Sequence, residues 1–331
     1  MLKKSNGIIR RMLPGVFLGF AVFVIVAIAG DISEVSSRLN SFNWNMFYVA
    51  MGFTLFNYIL RFFKWHYYIS CMGIKNFPIM ESLQLFVAGF PLAMTPGKVG
   101  EIFKGVWLRS KTGLPVSRGL SIVVAERISD GMAVLLLSTL GVIAYPQYWP
   151  AFLTVFIILV TVIVISQIRP AAYWLLSIAD KIPLVNRVSP GIRDFYEGSF
   201  ILFKPVPTLI AVGLGTISWL GEGIGFYFIL LGLGLPSGIN TLTMAIFILA
   251  FSTVIGAVST LPGGLGAAEL SIAGMLKILL GVSTVISTTA TLLIRLATLW
   301  FGMILGLIVW LFSPKLLKFS LEDEQKKLNE L

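Results

Sequence analysis

Apolar residues along this chain form long uninterrupted runs rather than the alternating pattern of membrane-spanning strands. Pro14–Gly30 and Pro150–Ile168 contain no charged residue. A helix that crosses a bilayer needs about 20 mostly apolar residues, so each of these runs predicts a transmembrane helix. Other apolar stretches carry at most a few charges or are broken by proline and glycine: 44–63, 119–145, 206–234, 239–268 and 284–312. The pattern predicts an all-α polytopic membrane protein.

Composition supports lipid as the solvent and excludes several kinds of chemistry. The chain of 331 residues is 57% hydrophobic and 12% charged, and its mean hydropathy is +0.91. Its single cysteine, Cys71, and single histidine, His66, argue against disulfides, zinc sites and catalysis by cysteine or histidine. We therefore expect no metal, no cofactor and no enzymatic activity. The net charge of +10 comes mainly from Lys and Arg between the spans, which indicates topology and contact with anionic lipid rather than nucleic acid.

The distribution of positive charge predicts cytoplasmic N- and C-termini. The segment 79–118 contains a Pro-Gly break followed by several cations, so we interpret it as a hairpin that enters from the cytoplasm and returns there. A second hairpin, at about 241–280, lies on the outer side. The prediction is one transmembrane domain, 1–331, with six full spans and two re-entrant hairpins. A count of hydrophobic peaks gives seven or eight segments, because it includes hairpin arms. It includes a cytoplasmic linker, 169–205, and a short cytoplasmic tail, 313–331.

Two proline-glycine motifs divide the domain into a first repeat, 44–145, and a second repeat, 206–312. Pro96-Gly97-Lys98-Val99-Gly100-Glu101 precedes Arg127, and Pro262-Gly263-Gly264-Leu265-Gly266-Ala267-Ala268-Glu269 precedes Arg295. Each motif glutamate lies 26 positions before its arginine, and Arg61 and Glu222 each lie 12 positions before a glycine. Because the predicted topology reverses between the halves, the repeat is inverted, as in many transporters. The alternative is an ordinary turn sequence that occurs twice.

Together with Glu126-Arg127-Ile128-Ser129-Asp130-Gly131, these motifs resemble the flippase-like family, also described as the lysylphosphatidylglycerol synthase transmembrane region family. The resemblance covers about residues 14–312. It implies a protein of the bacterial or archaeal inner membrane with a role in lipid translocation or envelope lipid metabolism. Full-length lysyl-lipid synthases in this family carry a soluble aminoacyltransferase domain after the membrane part. Because about 19 residues follow the last predicted span here, we do not expect this chain to make lysyl-lipid.

Charged residues inside spans cost about 2.5–3.5 kcal/mol each on insertion scales, so they are candidates for function. Arg127 and Arg295 occupy equivalent places near the midplane and are expected to face one wet cavity. The alternative is internal pairing, of Arg127 with Glu101 or Asp130 and of Arg295 with Glu269. The glycine-rich tips precede helix starts, whose free amides favour anions, although close helix packing also explains glycine. The candidate head-group site comprises Pro96, Gly97, Lys98, Gly100, Glu101, Lys104, Glu126, Arg127, Asp130, Glu222, Pro262, Gly263, Gly264, Gly266, Glu269 and Arg295.

The leading functional hypothesis is movement of a lipid or lipid-linked head group, most simply an anionic phospholipid, between leaflets. The alternative is a non-transporting membrane partner of an envelope glycosyltransferase or lipid-modifying enzyme. An intramembrane enzyme ranks third because no nucleophile–base set or metal cluster is visible. The glycine-rich tips lack the Gly-Lys-Ser/Thr of a nucleotide-binding loop, so any work comes from a gradient, or transport is downhill.

The predicted topology is testable by labelling introduced cysteines from outside the cell. Positions 31–43, 145–149 and 235–240 should be modified, and positions 105–115 should be protected. Strong external labelling near Arg109 or Lys111 would contradict the inverted repeat, because it would place the cations after the first hairpin on the outer side.

Overall fold

A computed structural model of the chain describes residues 6–95, 100–142, 149–179 and 189–313. Every regular element in these ranges is helical. The α-helices are α1 (Asn6–Ala29), α2 (Ile32–Ser41), α3 (Trp44–Cys71), α4 (Ile79–Ala88), α5 (Ile102–Thr112), α6 (Val116–Val142), α7 (Trp149–Gln167), α8 (Arg169–Ala179), α9 (Ser189–Leu202), α10 (Pro205–Gly232), α11 (Ile239–Val258), α12 (Ala267–Leu280), α13 (Thr284–Arg295) and α14 (Phe301–Phe312). Short 3₁₀ turns cover Pro91–Met94 and Pro262–Gly264, and a π turn, Leu296–Trp300, joins α13 to α14.

The helices of the described residues are those of a polytopic membrane protein. Five have the length and apolar composition to cross a bilayer, and seven do if each of two bent helix pairs counts as one span. The bends are 90° between α1 and α2 and 79° between α7 and α8. Helix α6 is 27 residues long but is not among these helices, because Glu126, Arg127 and Asp130 lie in its middle. The predicted all-α polytopic class is confirmed.

The arms of the first hairpin are shorter than those of the second. Its first arm runs from Ile79 to Met94, through α4 of 10 residues and a 3₁₀ turn of four, and α5 has 11 residues. A helix that crosses the hydrocarbon core needs about 20 residues. In the second hairpin, α11 has 20 residues, and the segment from Pro262 through α12 has 19. Both arms of the second hairpin are about this length and those of the first are shorter, but length does not place a hairpin in the membrane, so both re-entrant placements stay predictions.

Helices α3 and α10 form the central antiparallel pair. Gly232 at the end of α10 lies against Phe42 just before α3, Gly225 lies against Ala50, and the amide nitrogen of Asn57 donates to the Ser218 carbonyl at 3.0 Å. Asn57 and Ser218 are equivalent positions in the predicted repeats. Two equivalent helices that cross antiparallel at equivalent residues are the geometry that an in-plane two-fold axis requires.

The two halves also contact each other through their hairpins. Trp310 of α14 donates its indole N–H to the Ala88 carbonyl in the first hairpin at 3.0 Å, while Gly141 of α6 packs on Phe247 in the second hairpin. Each hairpin's first arm thus packs against the last span of the other half. Helices α3 and α10 both contain 28 residues, and the glycines that follow them, Gly73 and Gly234, both have φ of 89°.

The tips of the two hairpins meet beneath α1. Met94 at the first tip is fully buried and lies against Gly263 at the second tip, where an added Cβ would be 2.9 Å from its sulfur. Gly15 and Gly19, one turn apart on α1, pack on this junction, as small residues do where helices approach closely in membranes. A Cβ on Gly15 would overlap the Met94 carbonyl and lie 3.4 Å from Pro262. Helix α1 therefore holds both tips in place.

We predict that Gly15→Leu destabilises the protein by about 1–3 kcal/mol or more, because the side chain must displace backbone at the junction of the tips. The matched control is Gly213→Leu, since Gly213 is an exposed helix position with no atom within 4 Å of an added Cβ. Thermal unfolding in detergent should show a lower melting temperature for Gly15→Leu than for the control. Equal melting temperatures would contradict the docking of α1 on the tips.

Candidate functional site

A cavity of about 520 Å³ lies where the hairpin tips meet helices α3, α6, α10 and α13. Its walls include eight residues that the sequence marked as candidates: Glu101, Lys104, Arg127, Asp130, Glu222, Gly263, Gly264 and Arg295. Apolar side chains such as Phe90, Leu159 and Leu249 complete the walls. Apolar walls with a few convergent polar groups are typical of ligand sites, and the volume lies in their usual range.

The same ion pair occurs in both halves. The guanidinium Nε of Arg127 on α6 donates to the Glu101 carboxylate at 3.1 Å, and Arg295 on α13 lies 2.5 Å from the Glu269 carboxylate. Each pair joins the start of a hairpin's second arm to the following span, because Glu101 directly precedes α5 and Glu269 lies in the first turn of α12. The pairing that the sequence left as an alternative is present in both repeats.

The two arginines differ in what else they touch. About 38% of the Arg127 side chain is accessible, against 15% for Arg295. Arg295 also donates from Nη2 to the Gly263 carbonyl at 3.0 Å and so fastens the second tip directly. Both arginines line the cavity. Arg127 is therefore the more open of the two to a ligand, while Arg295 is held between its carboxylate and the tip.

A second group of buried charges in the first half lies in the cavity wall, at Lys104 and Asp130, and directly behind it, at Glu126 and Lys64. Lys104 donates to Glu126 at 2.7 Å and lies 4.2 Å above the Trp65 ring. The Asp130 carboxylate accepts hydrogen bonds from Lys64 at 2.5 Å and from the Trp219 indole at 3.3 Å. Glu126 thus supports Lys104 and does not itself line the cavity. These pairs compensate charges that would otherwise be very costly inside a membrane.

Two of the tip amides that were expected to be free for an anion already have a partner among the described residues. The Gly100 N–H donates to the Thr95 hydroxyl at 2.8 Å, and the Gly266 N–H donates to the Glu269 carboxylate at 2.6 Å. The physical reason is that a buried helix start needs its donors satisfied, and a nearby side chain does so without a ligand.

Conformation and close packing both explain the glycines. Gly263, Gly264 and Gly266 have φ of 61°, 69° and 84°, which favours glycine, and Gly264 also packs on Gly256. Pro262 begins the 3₁₀ turn at the second tip. Pro96, Gly97 and Lys98 lie outside the residues that the structure describes.

Sequence reasoning missed four residues at this site: Tyr58, Arg61, Lys64 and Trp219. Arg61 entered the sequence analysis only through its spacing to a following glycine, and Lys64 lies just beyond the apolar stretch 44–63. In the structure, α3 continues to Cys71, and Lys64 is fully buried. A signal was available for two of them, because Arg61 and Lys64 follow the polar Asn57 at intervals of four and seven residues and so share one face of α3.

Tyr58 links the site to the π turn after Arg295. Its hydroxyl donates to the Thr298 carbonyl at 2.8 Å. A π turn leaves backbone carbonyls without their usual helical partners, and such turns are frequent at functional sites. No group of three potential metal-ligating side chains occurs in the described parts of the chain.

Comparison with known sequences identifies the family. The profile described as the lysylphosphatidylglycerol synthase TM region matches residues 15–306, so the chain belongs to this family. A UPF0104 membrane protein of Methanothermobacter thermautotrophicus is 24% identical over 88% of this chain and 92% of its own length. Another, from Pyrococcus horikoshii, is 25% identical over 78% of this chain and 84% of its own. A third, from Methanocaldococcus jannaschii, is 26% identical over 56% of this chain and 78% of its own length. No solved structure matches.

The Arg295–Glu269 pair is testable by a double-mutant cycle. Arg295→Gln alone should destabilise the protein by about 3–5 kcal/mol, because it leaves a buried carboxylate uncompensated. Combining it with Glu269→Gln should recover part of that loss, since neither charge is then buried alone. The control is Arg169→Gln, which breaks an exposed pair with Glu197 and should cost about 0–1 kcal/mol. Strictly additive effects of Arg295→Gln and Glu269→Gln in detergent unfolding would contradict coupling.

Proposed function

We propose that this member of the lysylphosphatidylglycerol synthase transmembrane region family moves the head group of an anionic phospholipid, or of a lipid-linked molecule, between leaflets. The observation that carries the proposal is the cavity of about 520 Å³ between the two hairpin tips, with Arg61, Arg127 and Arg295 in its wall. Charged residues at such depth are rare and mark ion or substrate pathways.

The arginines retain binding capacity for an anion even though they are paired. Arginine has five N–H donors in a planar fork, which matches the oxygens of a phosphate. Arg127 forms one hydrogen bond with Glu101, from its Nε. Among the described residues, its two terminal nitrogens have no hydrogen bond and can donate to a phosphate. Its accessible side chain supports that role. A head group would bind mainly at Arg127, with Arg295 and Arg61 contributing positive charge across the cavity.

The inverted repeat supplies a route for the head group in this proposal. Two halves of opposite orientation, each with a hairpin tip at the cavity, can expose a central site to either side by exchanging conformations. The matching pairs Arg127–Glu101 and Arg295–Glu269 are the contacts that would hold or release each tip. The acyl chains would remain in the lipid phase while the polar group passes through the charged cavity.

Transport is testable with purified protein in liposomes that contain fluorescent lipids of different head groups, with dithionite quenching of the outer leaflet. The wild type should accelerate the movement of anionic lipids. Arg127→Lys should reduce the rate about tenfold or more while leaving melting nearly unchanged, because a charge-assisted bond is worth about 1.5–3 kcal/mol and lysine lacks the fork. Arg169→Lys is the matched control, since Arg169 pairs with Glu197 away from the cavity.

Two outcomes would contradict the proposal. Arg127→Lys with normal melting and normal transport would remove the head-group role of this arginine. Well-folded wild type that moves none of the lipids would contradict translocation itself. It would favour the alternative of a membrane partner for an envelope enzyme.

A further inference from the structure

Glu222 on α10 is a cavity carboxylate that has no hydrogen-bond or ion-pair partner among the described residues. Its residue is 7% exposed and it lines the cavity, yet it forms neither a hydrogen bond nor an ion pair with any described residue. Asp130, on the same cavity, accepts from Lys64 and Trp219 and lies 3.4 Å from Arg61. An ionised carboxylate inside a membrane normally has such partners, so the isolation of Glu222 needs a physical account.

The crossing of α3 and α10 explains why Arg61 does not pair with Glu222. Arg61 lies four residues after Asn57, and Glu222 lies four residues after Ser218, at the crossing point. Because the helices are antiparallel, Arg61 and Glu222 lie on opposite sides of the crossing point, each about 6 Å from it along its own helix axis. Arg61 reaches Asp130 on α6 instead, and its guanidinium lies 5.7 Å from the Trp219 ring.

The elements around α10 show which groups face Glu222. Helix α3 contributes Tyr58, Arg61 and Lys64; α6 contributes Asp130 beside Glu126 and Arg127; α13 contributes Arg295; and α11 carries no titratable residue. The charges of Arg61, Arg295 and Asp130 act on Glu222 directly. The positive field at this carboxylate therefore comes from Arg61 and Arg295, two of the arginines that the proposed function assigns to the head group.

Among the described residues, the charges of the site balance only when Glu222 is ionised. The described residues in and behind the cavity wall supply five cations (Arg61, Lys64, Lys104, Arg127, Arg295) and five carboxylates (Glu101, Glu126, Asp130, Glu222, Glu269). Adding an anionic head group gives this set of described residues an excess negative charge in a medium of low dielectric constant. Uptake of one proton by Glu222 removes that excess, and Glu222 is the carboxylate that loses no ion pair by accepting it.

We propose that Glu222 takes up a proton when an anionic head group enters the cavity, so that head group and proton bind together. This inference rests on the proposed function and adds to it a coupling ion, and hence a way for a proton gradient to drive lipid movement. No bond other than the O–H of the carboxyl forms, and the proton comes from water in the cavity. By thermodynamic linkage, a ligand that binds with a proton binds more tightly as pH falls.

The test is the affinity of the purified protein for a short-chain phosphatidylglycerol between about pH 5 and pH 8. Wild-type affinity should rise as pH falls, by up to about tenfold per pH unit. Glu222→Gln, which resembles the protonated side chain, should lose this pH dependence. The matched control is Glu81→Gln, because Glu81 forms an exposed pair with Lys111 away from the cavity, and it should behave as the wild type does. In weak buffer, lipid addition should take up protons with the wild type and not with Glu222→Gln.

The possible failures are distinguishable. Lipid binding with no pH dependence in the wild type, or with the same dependence in Glu222→Gln, overturns the proton proposal and leaves head-group binding intact. Absence of any phosphatidylglycerol binding overturns the head-group site and the proton proposal together. Binding with proton uptake, but no transport in liposomes, supports Glu222 as a proton site and contradicts translocation.

Discussion

The cost of placing charge inside a membrane is the constraint on which the rest of this structure depends. Each half places an arginine in a span and a glutamate at the start of a hairpin arm, and the pair compensates both charges. Because the partners come from different elements, the pair also fixes the hairpin against the span. Irregular backbone is tolerated at such depth only within protein or a wet cavity, and the paired tips, Met94 against Gly263 under α1, provide that setting.

These pairs also account for a cavity rather than a filled core at the centre. Charged groups that stay near water or a polar ligand cost less than fully desolvated ones, so a polar space between the tips lowers the cost of the cluster. Lipid translocation as proposed uses this space, since a head group replaces water near arginines that already exist for the fold. Glu222 differs from the other carboxylates of the site because no cation in the described parts of the chain forms an ion pair with it, and the proposed proton coupling follows from that difference.

Sequence patterning predicted the helical membrane class because runs of apolar residues longer than about 18 have few other stable states. It also offered Arg127–Glu101 and Arg295–Glu269 as the alternative to arginines that face a wet cavity, since charged residues inside spans tend to pair with one another. It did not predict the burial of Lys64, because a lysine near a helix end usually reaches the interface. The occupied amides of Gly100 and Gly266 depend on local side-chain geometry that spacing alone does not specify.

The central claim is that a lipid phosphate binds between the two hairpin tips. Structure determination by electron cryomicroscopy in nanodiscs containing anionic phospholipid, with a bound antibody fragment to aid alignment, tests it most directly. The account predicts density of phosphate size within hydrogen-bond distance of the Arg127 terminal nitrogens, with Glu101 and Glu269 still near their arginines. A cavity filled by acyl chains or closed by side chains, with head groups only at the membrane surfaces, would contradict it.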